Sequence, residues 1–299
     1  MQIANKILMV RPAKFAYNEQ TAKNNYFQKK LSLPNVNEIA LEEFDGFVNV
    51  LRDNKIDVVV VQDTIEPHTP DSIFPNNWFS THPSGEFILY PMFARNRRLE
   101  RKSNILSVIS KCFSIDKIVD MTHWEKENKF LEGTGSLILD NTNMIAYSCR
   151  SERTDKSVLE DFCSKMNFKP MLFDAFDENK KAIYHTNVLL SIGEKSAIIC
   201  AEAISDSYQR KLVLESLRVT KKEIIEISFS QMKQFCANIL EVLNIENEKC
   251  LIMSESANNA FAKSQKDILE NNSKIVSSPL QTIEYIGGGS ARCMIAEIF

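Results

Sequence analysis

The sequence predicts a mixed α/β protein folded as one domain, and three observations carry that prediction. Short apolar strand-like runs alternate with amphipathic helical patterns along the whole 299-residue chain. The helical patterns recur at intervals of roughly sixty residues. No Pro/Gly/Ser-rich linker interrupts the chain, which has only 8 glycines, so residues 1–299 read as a single unit. No clear sequence repeat accompanies the spacing.

Residues 7–10 read as the first strand. The stretch 11–25 is polar, with Phe15, Tyr17, Asn18 and Asn24. It reads equally as a lid over a site or as a surface loop leading into a helix. Residues 36–54 carry Ile39, Leu41, Phe44, Phe47, Val48 and Leu51 on one side of a helix. Further strands are read at 58–61, 87–90, 136–139, 144–147, 188–192, 197–200, 224–227, 251–253 and 293–298. Their length, β-branching and flanking Asp, Asn or Gly favour strands. Helices are read at 99–112, 155–166, 205–219 and 231–243, the last behind a hydroxyl cap at Ser228.

Composition excludes several functions. The net charge is −3, from 36 basic and 39 acidic residues, and no basic stripe is present, so nucleic acid is not an expected partner. The densest basic stretch, 95–102, is short and contains an acid. No apolar run reaches the ~18 residues of a membrane span, and the first residues lack a signal-peptide cleavage region. The seven cysteines (112, 149, 163, 200, 236, 250 and 293) are widely spaced, with no Cys-x-x-Cys pair and no His pair at ligand spacing. That disfavours structural zinc and fits a reduced, cytoplasmic chain. Neither a G-x-G-x-x-G after the first strand nor a Gly-Lys-Ser/Thr loop appears, so dinucleotide and P-loop chemistry are not expected. No metal or cofactor is expected, and a homo-oligomer is compatible with the sequence.

Gly287, Gly288 and Gly289 stand in a row before Ser290-Ala-Arg-Cys293. A glycine turn delivering Cys293 at the start of the last strand would expose its sulfur and bring backbone N–H groups close. Arg292 beside it would favour the reactive thiolate. A tight turn followed by a buried cysteine accounts for the same residues. A cysteine nucleophile also needs a proton carrier. Of the four histidines, His185 in Tyr184-His-Thr-Asn187 sits at the entry to an apolar strand, and Glu132 in Leu131-Glu-Gly-Thr-Gly135 sits in a comparable turn. A structural histidine and an exposed turn acid are the plain alternatives.

Taken together, these segments resemble the guanidino-group-modifying superfamily: arginine and agmatine deiminases, dimethylarginine hydrolases and amidinotransferases. Pro70-Asp-Ser-Ile-Phe-Pro-Asn-Asn77 resembles a segment that ends in an acidic pair in dimethylarginine hydrolases. Arg97-Arg-Leu-Glu100 resembles Arg-Arg-x-Glu, and Leu131–Gly135 resembles the Glu-Gly-Gly-Asp motif. Ser151-Glu-Arg-Thr154 resembles Ser-x-Arg-Thr, Tyr184–Asn187 resembles His-x-Asp, and Gly288–Met294 resembles the terminal cysteine motif. The matches fall in family order over residues 70–294. The resemblance implies a five-bladed, pseudo-symmetric α/β propeller, the pentein fold, with its site in the central channel. It implies that Cys293 attacks a planar carbon, that His185 protonates the leaving amine and then activates water, and that Glu132 orients the histidine or binds a substrate nitrogen. It implies that Arg153 and one of Arg97 or Arg98 hold the substrate carboxylate, that Asp71 binds the α-amino group or a side-chain nitrogen, and that Gly288 lies at the substrate.

Two positions depart from the family pattern. Enzymes of this superfamily that take a guanidinium usually offer a carboxylate at the position of Asn77, and the deiminases another at the position of Asn187. A buried cation needs an ionised partner. An asparagine, with one acceptor and two donors, suits a neutral ureido group instead. The expected substrate is therefore the small molecule L-citrulline, hydrolysed to ornithine, carbon dioxide and ammonia through an S-carbamoyl cysteine, as in the citrulline-utilisation hydrolases that the whole pattern resembles. The alternatives are a guanidine hydrolase, an amidinotransferase using the same cysteine, and a non-catalytic propeller that only binds.

Overall fold

The computed structural model describes residues 2–30 and 35–299. Following the chain, strand β1 (Lys6–Arg11), helix α1 (Val36–Asp53) and strand β2 (Asp57–Gln62) come first. Then come β3 (Phe79–Thr81), β4 (Glu86–Leu89), α2 (Ser103–Cys112) and β5 (Lys117–Asp120). The next group is α3 (Gly133–Ser136), β6 (Ile138–Asp140), β7 (Ile145–Cys149), α4 (Lys156–Met166) and β8 (Lys169–Phe173). After it lie β9 (Leu190–Ile192), β10 (Ser196–Ile199), α5 (Ser207–Val219) and β11 (Glu223–Glu226). The chain continues with α6 (Phe229–Lys233), β12 (Leu240–Leu243), β13 (Lys249–Ser254), α7 (Glu255–Ala260), α8 (Lys263–Asn272) and β14 (Lys274–Ser278). It ends with α9 (Gln281–Gly287) and β15 (Ala296–Ile298).

These strands form five three-stranded sheets among the described residues, all built to one plan. A short first strand pairs antiparallel with a central strand, which pairs parallel with a third strand reached through helix. In the remaining sheet the last strand of the chain supplies the first position. β15 pairs antiparallel with β1 (Lys6↔Ile298, Leu8↔Ala296), and β1 pairs parallel with β2. The parallel step requires a crossover, and helix supplies it. The α/β class read from the sequence is thus observed as a fivefold repeat of one unit.

Local chemistry sets the element ends. Asp155 caps α4, accepting from Ser157 N at 2.8 Å, and Asp206 caps α5 through Tyr208 N and Gln209 N at 2.9 Å each. Ser228 and Gln231 form a capping box on α6. Asp140 accepts from Asn143 N at 3.0 Å and closes the β6–β7 hairpin. Helix α1 buries Ala40, Phe44, Phe47, Val48 and Leu51. Each large side chain there contributes roughly 1.5–3 kcal/mol. Ile39 and Leu41, read as part of that face, are only half-buried.

The structure corrects several element readings. Residues 231–243 are not one helix. Helix α6 ends at Lys233, Phe235 takes a left-handed conformation (φ 61°), and Leu240–Leu243 pairs with β13. Cys293 does not start a strand: it lies in a 3-10 turn, Ala291–Met294, ahead of β15. Ser136 ends α3 rather than opening a strand, and Val188 ends the 3-10 turn Thr186–Val188. The outer strands β5, β8 and β14 escaped the reading because they carry the polar, charged composition of sheet edges, Pro170 included.

His82 lies 3% exposed between Phe162 and Phe168, its Nε2 2.9 Å from Ser80 Oγ. Burial lowers its pKa from 6.5 to about 4. Below the ordinary value the unfolded chain takes up a proton that the folded chain refuses. The stability is therefore full above about pH 6.5 and falls toward pH 4, by about 3 kcal/mol for this group. Urea unfolding midpoints should drop over that interval, and His82→Gln should flatten part of the slope. An unchanged slope in the variant would contradict the assignment.

Candidate active site

Each first strand is entered through a tight turn, and the five turns meet. Asn77 ends the 3-10 turn Pro75–Asn77 before β3, and Gly135 lies in α3 before β6. Asn187 lies in the turn before β9, Asn238 on the bend before β12, and Cys293 in the turn before β15. The turns approach so closely that a Cβ on Gly135 would sit 2.5 Å from Asn77 Nδ2 and 2.8 Å from His185 Nδ1. A Cβ on Gly133 would sit 2.2 Å from the Asn76 carbonyl oxygen. Glycine is required at both places for that reason.

Glu132 precedes α3 and is fully buried. Its Oε2 accepts from His185 Nε2 at 2.8 Å and from Arg153 Nη1 at 3.4 Å, and its Oε1 accepts from Phe93 N at 2.9 Å. Burial alone would raise its carboxyl. The Arg153 guanidinium, the His185 hydrogen bond and Arg97 outweigh burial and hold it near 2. His185 is lowered to about 4 by burial, against the pull of Glu132. The resting pair is thus a carboxylate and a neutral imidazole that donates from Nε2, which leaves Nδ1 as a base.

Cys293 is 5% exposed, not open to solvent. Its Sγ lies 3.3 Å from Asn187 Nδ2 and 3.1 Å from Asn238 Nδ2. Arg292 does not serve the sulfur: its guanidinium donates to the Ile295 carbonyl at 3.0 Å and to Glu297 at 2.8 Å. Three N–H groups of the glycine turn are already engaged. Those of Gly288, Arg292 and Cys293 donate to the carbonyls of Glu284, Asn238 and Ser290. The ten buried polar side-chain atoms without a partner among the described residues include the donor Asn77 Nδ2 and the acceptor Asn187 Oδ1.

The two arginines of Arg97-Arg98 part company. Arg97 is buried, with Nε on Glu100 at 2.8 Å, Nη1 on Asn77 Oδ1 at 2.6 Å and Nη2 on the Phe74 carbonyl at 2.9 Å. Arg98 turns away to the Met92 carbonyl at 2.9 Å and to Glu125, outside the cavity lining. Asp71 is buried, with its carboxyl raised by burial against the pull of Arg97, Asn18 and Thr21. Its Oδ2 accepts from Asn18 at 2.8 Å and from Thr21 at 3.0 Å, and its Oδ1 has no partner. Arg153 stacks 4.9 Å from the Tyr184 ring and donates from Nε to Asn24 Oδ1 at 2.8 Å and from Nη2 to the Thr21 carbonyl at 2.8 Å.

Asp71, Asn77, Arg97, Arg153, His185, Gly288 and Cys293 border one cavity of about 20 Å³, room for roughly one water. Gly288 adopts φ 64°, and its carbonyl accepts from Tyr184 OH at 2.7 Å. Thr21 and Asn25, from the segment after β1, form part of the wall. Among the described residues, no group of three or more His, Cys, Asp or Glu side chains is arranged to hold a metal ion, and no helix is long and apolar enough to cross a membrane. Sequence reasoning missed Asn238 and Tyr184, and it read the segment 11–25, Asn24 included, as a lid or a surface loop without assigning Asn24 or Thr21 a partner. A signal for Asn238 was present: Asn77-Trp-Phe, Asn187-Val-Leu and Asn238-Ile-Leu repeat one pattern, an asparagine followed by apolar residues at a strand entry.

Comparison with known proteins follows this geometry. No curated protein matches the sequence. Among solved structures, apo ArgZ, an arginine dihydrolase from the ornithine–ammonia cycle in cyanobacteria, superposes with a TM-score of 0.76 at 16% identity. That match covers 98% of this chain and 40% of ArgZ, so the chain spans less than half of that protein. The N-terminal domain of ArgZ, solved as a variant bound to substrate, gives a TM-score of 0.73 at 16% identity, covering 98% of this chain and 97% of that one. DDAH from Pseudomonas aeruginosa, solved as a variant complexed with citrulline, gives 0.68 at 16% identity, covering 99% and 100%. These likenesses are of fold. The family model for N,N dimethylarginine dimethylhydrolase, eukaryotic, matches residues 11–299. The chain belongs to that family, and through it to the pentein, guanidino-group-modifying superfamily.

Proposed function

We propose that this protein is a cysteine-dependent hydrolase of the ureido C–N bond of L-citrulline. One observation carries the reading: two buried amide atoms are unpartnered, the donor Asn77 Nδ2, on a side chain that borders the same cavity as Cys293, and the acceptor Asn187 Oδ1, on a side chain whose Nδ2 lies 3.3 Å from Cys293 Sγ. A ureido group offers a carbonyl oxygen to the first and an N–H to the second. A guanidinium would give the donor nothing to bind, and its charge would meet neutral amides. The five sheet units close into a five-bladed α/β propeller within a single domain, with the turns at its axis. The buried, unpaired cysteines suit a reducing, cytoplasmic setting.

In this mechanism the Cys293 thiol proton passes to His185 as sulfur attacks the ureido carbon. Negative charge moves onto the carbonyl oxygen, where Asn77 Nδ2 receives it. Arg97 fixes that amide by holding Asn77 Oδ1. His185, stabilised as imidazolium by Glu132, returns the proton to the departing nitrogen, and ornithine leaves. The S-carbamoyl sulfur is then released by water that His185 deprotonates. The carbamate produced falls apart into carbon dioxide and ammonia. Arg153 binds the substrate carboxylate in place of Asn24, and Asp71 binds the α-amino group in place of Asn18 and Thr21. A cavity of about 20 Å³ cannot admit citrulline, so the segment 12–30 must move for entry.

Guanidine hydrolysis is the second reading. It is favoured by the family match and by Asp71, a buried carboxylate bordering the cavity. Purified protein incubated separately with L-citrulline, L-arginine and methylated arginine distinguishes the two. Ornithine and ammonia should appear in equal amounts from citrulline and vanish with Cys293→Ser. Citrulline formed from arginine or methylated arginine would overturn the ureido reading and leave the nucleophile standing. Asn77→Asp replaces the oxyanion donor with a carboxylate, so it should lower kcat on citrulline by on the order of 100-fold. Unchanged turnover in that variant would refute the role of the amide.

A further inference from the structure

Asn238 belongs to no motif by which the family resemblance was read. It occupies, before β12, the place that Asn77, Asn187 and Cys293 take before β3, β9 and β15. Its side chain is 1% exposed, and both ends of its amide are fixed. Oδ1 accepts from the Cys293 backbone N–H at 3.4 Å. Nδ2 donates to the Asn187 carbonyl at 3.3 Å and lies 3.1 Å from Cys293 Sγ. A backbone donor at one end and a backbone acceptor at the other set which atom faces the sulfur.

Asn187 Nδ2 reaches the same sulfur at 3.3 Å. Two amide donors thus converge on Cys293 Sγ, which acts as an acceptor. Other thiols act mainly as donors, although Cys149 also accepts from Thr186 Oγ1 at 3.6 Å. Cys112, Cys149 and Cys236 each donate to a backbone carbonyl, of Ile109, Ile183 and Ala257 respectively. A thiol is a weak acceptor; a thiolate is a strong one, and it is the reactive form. Asp71, Arg97, Arg153 and His185 border the same cavity, with Glu132 behind His185. The two guanidiniums are turned to Glu100 and Asn77 and to Asn24 and Glu132, and Arg292 is turned to Glu297. None of them hydrogen-bonds the sulfur among the described contacts.

We propose that Asn238 is a catalytic residue: with Asn187 it forms a two-amide cradle that favours the Cys293 thiolate and aims it at the substrate carbon. This rests on the reading of Cys293 as nucleophile. The cradle activates sulfur with neutral dipoles and leaves the charged groups of the cavity to the amino-acid end of the substrate. It also links the backbone of the nucleophile turn to its own sulfur through one side chain. Asn238 therefore controls both the protonation and the position of the thiol.

The test needs no substrate. Full-length protein is alkylated with iodoacetamide across a pH series, and modification of the Cys293 peptide is followed by mass spectrometry. The midpoint of the rate–pH curve should move up by about one pH unit in Asn238→Ala and further in Asn238→Asp, whose carboxylate opposes the thiolate. Asn238→Ser, which keeps a small donor, should fall between wild type and alanine, and it serves as the folded control if alanine is unstable. Circular dichroism verifies that each variant is folded. A midpoint that stays in place in folded Asn238→Asp and Asn238→Ser overturns the cradle. Citrulline turnover that persists in Cys293→Ser would instead overturn the nucleophile reading, so the two failures are distinct.

Discussion

The site depends on how closely five backbone turns approach one another. At Gly135 there is no space for even a methyl group, because Asn77 and His185 from two other sheets already fill it. Each turn feeds the first strand of a sheet, so its position is set by β-pairing and not by a loop's own preferences. That is why short polar side chains such as asparagine and cysteine can meet at hydrogen-bond distance from separate sheets. The C-terminal strand matters most here. β15 both completes the sheet of β1 and places Cys293, three residues upstream of its first residue.

Charge in the site is organised by burial. Arg97, Arg153, Asp71, Glu100 and Glu132 are all nearly inaccessible to solvent and held by hydrogen bonds, with Asp71 Oδ1 left unpartnered. The imidazole works inside this frame as a neutral group at rest, which removes a desolvation cost that a further ion would impose. Burial holds the neutral His185 in place while Glu132 waits to stabilise its imidazolium, an arrangement that suits a group that must accept a proton and then return it. The segment after β1 completes the frame. Asn18, Thr21 and Asn24 bond Asp71 and Arg153 with the same donor and acceptor pattern that an amino acid's ammonium and carboxylate would use.

Much of this was legible in the amino-acid order. Cys293, His185 and Glu132 stand in turns ahead of apolar runs, two of the turns glycine-containing, and those are the features that the structure uses to bring them together at one cavity. Helix α1 was legible from its apolar periodicity, and α4 and α5 from periodicity that follows the capping residues Asp155 and Asp206. The outer strands β5, β8 and β14 were not, since they carry the polar residues that mask an edge strand's alternation, whereas the apolar β2 and β11 were read. Asn238 was hidden by a run, 231–243, whose apolar spacing mimics a helix until Phe235 turns the chain. Arg97 and Arg98 are adjacent and chemically alike. Only the 3-10 turn Arg95–Glu100 sends one inward and the other to Glu125. The orphaned amide atoms of Asn77 and Asn187 depend on three-dimensional neighbours and leave no trace in the sequence.

The central claim is that Cys293 takes a carbamoyl group from citrulline. Acid quench of the turning-over enzyme, followed by mass spectrometry of the peptide that contains Cys293, tests it directly. The account predicts an added carbamoyl group on Cys293 after incubation with citrulline. An amidino adduct from arginine with none from citrulline, or an adduct on any other residue, would contradict it.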